Sequence, residues 1–162
     1  HIQDISDAQL KQLVILCEGS PGMAISIHES GVDAYLDELN HILKNDKSGL
    51  ENILKLGTKW GNNISKKPEL CSSTSFIFDK LFSEAALLAI ENSSHSSFHT
   101  APTSTNISKM VFFLSQNYTA KELTNLHLDW QKEFRNVQSN YLDMSIFMQQ
   151  TFYKMYSQIQ VR

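Results

Sequence analysis

The feature that most constrains this chain is the spacing of its apolar residues, which return every three or four positions through most of its length. In residues 31–45, "GVDAYLDELNHILKN", Val32, Tyr35, Leu36, Leu39, Ile42 and Leu43 fall on one face of a helix. Earlier, in "ISDAQLKQLVILCEG", Leu10, Leu13, Val14 and Cys17 form a similar stripe, with Ser6 or Asp7 as candidate N-caps. No segment shows a convincing alternation with the period of a strand. The expected fold class is therefore all-α, a bundle of helices. No internal repeat is visible.

The helix boundaries are marked by capping chemistry. Gly19 follows the first stripe where a left-handed residue is cheapest, Ser20 can cap the next helix, and Pro21 suits its first turn. "GSPG" thus reads as a stop and a restart in four residues, a tight corner between two helices. Further on, Ser48 is a candidate cap for "SGLENILKLGTKWGNN", and Gly61-Asn62-Asn63 read as its exit. Pro68 opens a long segment that becomes strongly apolar from Phe76 to Ile90 and predicts a buried central helix. Residues 92–106 are rich in Ser and Thr and read as a mobile loop. After it come a short apolar helix from Ile107 and a long helix capped by Thr119, with Glu122 completing a capping box. A last helix is capped by Asp143.

Composition excludes several classes. The chain has 162 residues, 41% of them hydrophobic, enough for one ordinary domain or a domain with part of another. No apolar run approaches the roughly 18 residues of a membrane span, so no membrane partner is expected. The two cysteines, Cys17 and Cys71, suggest no disulfide framework, and a cytoplasmic location is the default expectation. The opening at His1 favours a fragment of something larger. Net charge is −3, but residues 1–46 hold eight acids against two bases, and the remainder nine against twelve. No basic stripe of the kind that tracks nucleic acid is visible, so direct DNA contact is not expected.

Catalytic and metal-binding patterns were sought in the same residues. The histidines are scattered; His95 and His99 have ligand spacing but lie in the Ser-rich stretch without a third ligand. No phosphate-binding glycine loop, nucleophile elbow or paired-cysteine motif occurs, and adjacent acids such as Asp37 and Glu38 point differently on a helix. The expectation is no enzyme, no catalytic residue, no metal and no cofactor. Trp60, Trp130 and Phe134 are either core or a partner-binding surface, with core the favoured reading. Phe152, Tyr153 and Tyr156 join Trp130 and Phe134 as candidate interface residues, and Met144, Met148 and Met155 read as gap-fillers of a core. These residues alone describe a helical interaction module.

The corner "EGSPGMAISI" followed by an acidic amphipathic helix resembles the end of the lid in the clamp-loader branch of the AAA+ ATPases, and within it the delta-prime type of bacterial DNA polymerase III subunit. The shared features are Gly19, Ser20, Pro21 and Gly22, the Ala24-Ile25 pair that follows, and the order of the later helices. The resemblance implies that residues 1–29 end an AAA+ lid and residues 31–162 form a helical collar, the nucleotide-binding domain lying upstream. It also places Gly22 where ATP-hydrolysing relatives carry a phosphate-sensing arginine, and neither Gly22 nor Met23 offers that charge. A non-catalytic subunit is implied. Its collar would pack with gamma/tau-type and delta-type subunits in the complex that loads the sliding clamp during DNA replication, the clamp itself being met through the upstream part or the complex. The alternative, from the residues alone, is a free-standing helical adaptor that docks a partner peptide or protein.

Overall fold

A computed structural model of the chain describes residues 13–14, 17–44, 49–93, 106–140 and 142–160. Among them are seven helices: α1 (Pro21–Ser30), α2 (Val32–Lys44), α3 (Gly49–Ile64), α4 (Pro68–Ser93), α5 (Asn106–Asn117), α6 (Ala120–Ser139) and α7 (Met144–Gln160). The described residues contain no strand, in line with the all-α expectation. The candidate caps Ser6, Asp7 and Ser48, the pair His95 and His99, and most of the loop expected at 92–106 lie outside the described residues. Asn92 and Ser93 belong to α4 and Asn106 to α5, so the helices reach further into that stretch than its composition suggested.

The capping chemistry explains where several helices start. Ser20 has an extended backbone and its Oγ accepts from the Met23 N–H at 3.4 Å, with Pro21 in the first turn. Gly19 is left-handed with φ 83°, and so is Glu18 at 55°, a conformation that costs a side-chain-bearing residue about 1 kcal/mol. Here the Glu18 carboxylate is paired with Lys80 of α4, which also holds that carboxyl below its ordinary range. At the other end of α1 a single left-handed residue, Gly31, closes one helix and opens the next: its N–H donates to His28 O and its carbonyl accepts from Ala34 N. Thr119 and Glu122 form the reciprocal capping box at the start of α6. Asp143 accepts from the Ser145 hydroxyl and from the Ser145 and Ile146 N–H groups at the start of α7, and these bonds, the hydroxyl's foremost, lower the pKa of its carboxyl.

Helix α4 is the central element, lying against α1, α2, α3, α5 and α6. Its buried residues include Leu70, Ile77, Phe78, Leu81, Phe82 and Ala85. Around Phe78 the core is a connected array of rings. Phe78 stacks on Trp130 with centroids 4.4 Å apart, Trp130 stacks on Phe134 at 4.9 Å, and Trp60 contacts both Phe78 and Phe152. Contacts of this kind contribute about 0.5–1.5 kcal/mol each beyond the area they bury. Leu13, Cys17, Ala24 and Ile27, from the corner and α1, join the same continuous core as the later helices.

Helices α3 and α7 approach each other closely, and glycine is the reason. A Cβ on Gly57 would stand 2.7 Å from the Gln149 backbone, and one on Gly61 would stand 2.4 Å from Ser145 Cα. The pairing is antiparallel, because Gly49 lies against the Tyr156 ring at the opposite end. Gly61 is therefore a point of backbone contact inside α3, and the helix continues to Ile64. The sequence expectation of an exit at Gly61-Asn62-Asn63 is corrected here: glycine and asparagine resemble a helix stop, but packing against α7 repays their poor propensity.

Candidate interaction surface

The corner and the exposed flank of the α3–α7 pair are two places where this fold presents something a partner could read; elsewhere Leu87 and Ile90 of α4 and Leu128 of α6 are also exposed. At the corner, Gly22, Ile25, Ser26 and Glu29 of α1 face Lys67 and Glu69 across an open cleft of about 410 Å³. Its charge is mixed, two carboxylates and one ammonium. The Ser30 hydroxyl at its edge is engaged within the chain, donating to Ile27 O at 2.7 Å and accepting from Val32 N. A side chain at Gly22 would meet open space, since no heavy atom lies within 4 Å of where its Cβ would stand.

Of the five candidate interface residues, three are core. Trp130, Phe134 and Phe152 are 2%, 3% and 0% exposed, which fits the core reading favoured for Trp130 and Phe134 and removes all three as surface candidates. The physical reason is the ring array: each stands at helical spacing on the face turned toward Phe78 or Phe147. Trp60 is buried likewise, and Met144, Met148 and Met155 fill the core as expected. Tyr156 is half-buried against Gly49. Tyr153 alone of the five is exposed, at 49%.

Tyr153 has apolar company that the sequence reading passed over. Ile146 and Tyr153 lie at helical spacing along the outside of α7, with Leu142 just before its start, and all three are about half-exposed. Leu50 and Leu54 do the same on α3. The Gln149 side chain donates to the Thr58 hydroxyl between them, which places the two stripes on the same flank of the helix pair. Leu50 and Leu54 are four apart, the signal that could have found this surface. Their spacing merged with the core stripe of Ile53, Leu56 and Trp60, so one broad apolar face was visible where the fold makes two. Charge is confined to the neighbourhood: Lys55 pairs with Glu51, and Lys59 pairs with Glu38 of α2 across the α2–α3 contact. The Glu38 carboxylate also raises the pKa of Lys59.

Exposed apolar area grouped on one flank is a type of surface that protein contacts use. Among the described residues no group of three or more His, Cys, Asp or Glu converges. Cys17 and Cys71 are free thiols, and burial pushes the pKa of both upward, away from the reactive thiolate. No described helix is long and apolar enough to cross a membrane. Compared with protein-family models, curated proteins and solved structures, the chain matches none.

Proposed function

We propose that this chain is a non-catalytic assembly module of the clamp-loader type, the end of an AAA+ lid followed by the helical collar of a delta-prime-like subunit. The observation that carries this reading is the corner at residues 19–22. A left-handed Gly19, a capping Ser20, a first-turn Pro21 and a Gly22 without a side chain lead directly into a run of helices. The room beside Gly22 supports a subunit that has dispensed with a phosphate sensor, because a larger residue there would be tolerated sterically. The flank of Leu50, Leu54, Ile146 and Tyr153 is the surface through which the collar meets a neighbouring subunit, gamma/tau-type or delta-type. The collar itself makes no DNA contact in this account and needs no cofactor, and its place of action is the cytoplasm. The test is co-expression of the chain with delta- and gamma-type subunits and purification through delta. Retention of the chain in the complex is expected; a delta–gamma complex that excludes it rejects the reading.

The cleft between Gly22 and Lys67 favours a second reading, a free-standing adaptor that seats a peptide there. The two separate on one variant: Ser26→Arg fills the cleft but leaves the α3–α7 flank untouched. Loss of partner binding in Ser26→Arg alone supports the adaptor.

A further inference from the structure

Where α4 crosses α6, three polar side-chain atoms form a nearly equilateral triangle. Asp79 Oδ1 stands 3.0 Å from His127 Nε2, His127 Nε2 stands 3.1 Å from the Gln131 amide, and that amide stands 3.2 Å from Asp79 Oδ1. His127 and Gln131 are four residues apart and share one face of α6, while Asp79 reaches them from α4. Phe82 forms an apolar wall beside the imidazole, with ring centroids 6.4 Å apart. The group is open to water on its outer side, the His127 side chain being 22% and the Asp79 side chain 38% exposed.

Asp79 Oδ1 accepts from the Gln131 amide at 3.2 Å, and from His127 Nε2 at 3.0 Å in the tautomer that places the proton there. The third edge, His127 to Gln131 at 3.1 Å, holds no hydrogen bond in that arrangement. A half-turn of the Gln131 amide exchanges its nitrogen for Oε1 at nearly the same place. Asp79 Oδ1, Gln131 Oε1 and a His127 Nε2 without its proton are then three lone-pair-bearing atoms about 3.0–3.2 Å apart.

The geometry points to a divalent-cation site formed by Asp79 Oδ1, His127 Nε2 and Gln131 Oε1, taking a six-coordinate transition-metal ion with water in its remaining positions. Ligands about 2.1 Å from an ion and at right angles to one another stand about 3.0 Å apart, which is the edge length of this triangle. One imidazole with two oxygens suits first-row divalent ions in general rather than thiolate-seeking ones. The ion would clamp α4 to α6 at a position where Asp79 and His127 are 48 residues apart in sequence. Three neutral-or-singly-charged ligands make a site of modest affinity. The third ligand is an amide.

The test uses Ni²⁺ with the 162-residue chain. Isothermal titration should give one ion per chain, and substoichiometric Ni²⁺ should broaden the His127 ring signals in NMR spectra before those of the other histidines. Asp79→Asn, His127→Gln and Gln131→Ala should each weaken binding by on the order of tenfold or more. Gln131→Ala is the variant that spares the fold, since alanine favours helix and position 131 is half-exposed. The His127 signals read the wild-type protein and do not depend on any variant folding. Three results overturn the proposal: no binding up to about 1 mM, binding that Gln131→Ala leaves unchanged, or binding abolished by replacing His95 and His99 while His127 stays unperturbed.

Discussion

The indole N–H of Trp60 donates to the Thr74 hydroxyl at 3.0 Å, joining α3 to α4 inside the core. Both residues are fully buried. The other core tryptophan differs: the Trp130 indole nitrogen has no hydrogen-bond partner among the described residues. Phenylalanine at either position keeps most of the ring contacts and removes the N–H. Trp60→Phe strands the buried Thr74 hydroxyl, a loss worth about 1–3 kcal/mol on top of the lost volume. Trp130→Phe strands nothing. Urea unfolding should therefore rank Trp60→Phe as the more destabilising change, and equal midpoints would count against the hydrogen bond.

The glycines of α3 give a graded prediction. Alanine at Gly57 or Gly61 would meet the α7 backbone at 2.7 and 2.4 Å, so the helices must separate. Overpacking of this kind costs about 1–3 kcal/mol, against the roughly 1 kcal/mol that alanine returns in helix propensity. At Gly49 the obstacle is the Tyr156 ring, a side chain able to swing outward. Thermal melts should show Gly57→Ala and Gly61→Ala well below wild type and Gly49→Ala closer to it. A stabilised Gly57→Ala would mean that the pair is looser than described.

Asp33 sets a pH dependence whose sign can be worked out. Burial raises its carboxyl above the ordinary aspartate range, the effect of His28 being smaller and opposite. The folded state thus holds the Asp33 proton more tightly than the unfolded state does. Its contribution to stability is most favourable below the unfolded pKa and declines as pH rises through the window up to the raised folded value. Asp33→Asn removes that decline. Its Tm should exceed wild type near pH 7 and match it near about pH 3, where aspartate is protonated in both states. An equal or lower Tm near pH 7 would contradict the assignment.

Thr119→Ala removes one half of the capping box at α6 and should lower stability by about 1 kcal/mol. Glu122→Ala removes the other half, in which the Glu122 carboxylate accepts from Thr119 N at 2.7 Å and from the hydroxyl at 2.8 Å. Because the two act reciprocally, the double variant should lose less than the sum of the single ones. Strict additivity in chemical unfolding would show that the two halves are independent.

What the sequence made legible follows from which forces are local. Helix starts were readable because Ser20, Thr119 and Asp143 bond to N–H groups two or three residues ahead of them. The central position of α4 was readable from its apolar run, which is buried from Ile77 to Ala85, whereas Leu87 and Ile90 at its end are exposed. Gly61 was misread because its role depends on Ser145, 84 positions away, and nothing local distinguishes a close-contact glycine from a helix stop. Trp130, Phe134 and Phe152 were ambiguous for a similar reason: helical spacing says that they share a face without saying what covers it. The flank of Leu50, Leu54, Ile146 and Tyr153 exists only once α3 and α7 are paired. His127 looked isolated until α4 brought Asp79 beside it.

The central claim is that this flank assembles the chain with its loader neighbours. Leu54 and Tyr153 are 38% and 49% exposed, so glutamate at both positions should leave the core and the melting temperature nearly unchanged. The most direct measurement compares wild type with the Leu54→Glu/Tyr153→Glu variant for co-elution with delta- and gamma-type subunits on a sizing column. The account predicts that wild type enters the complex and the equally stable double variant elutes alone. Co-elution of both, or of neither, would contradict it.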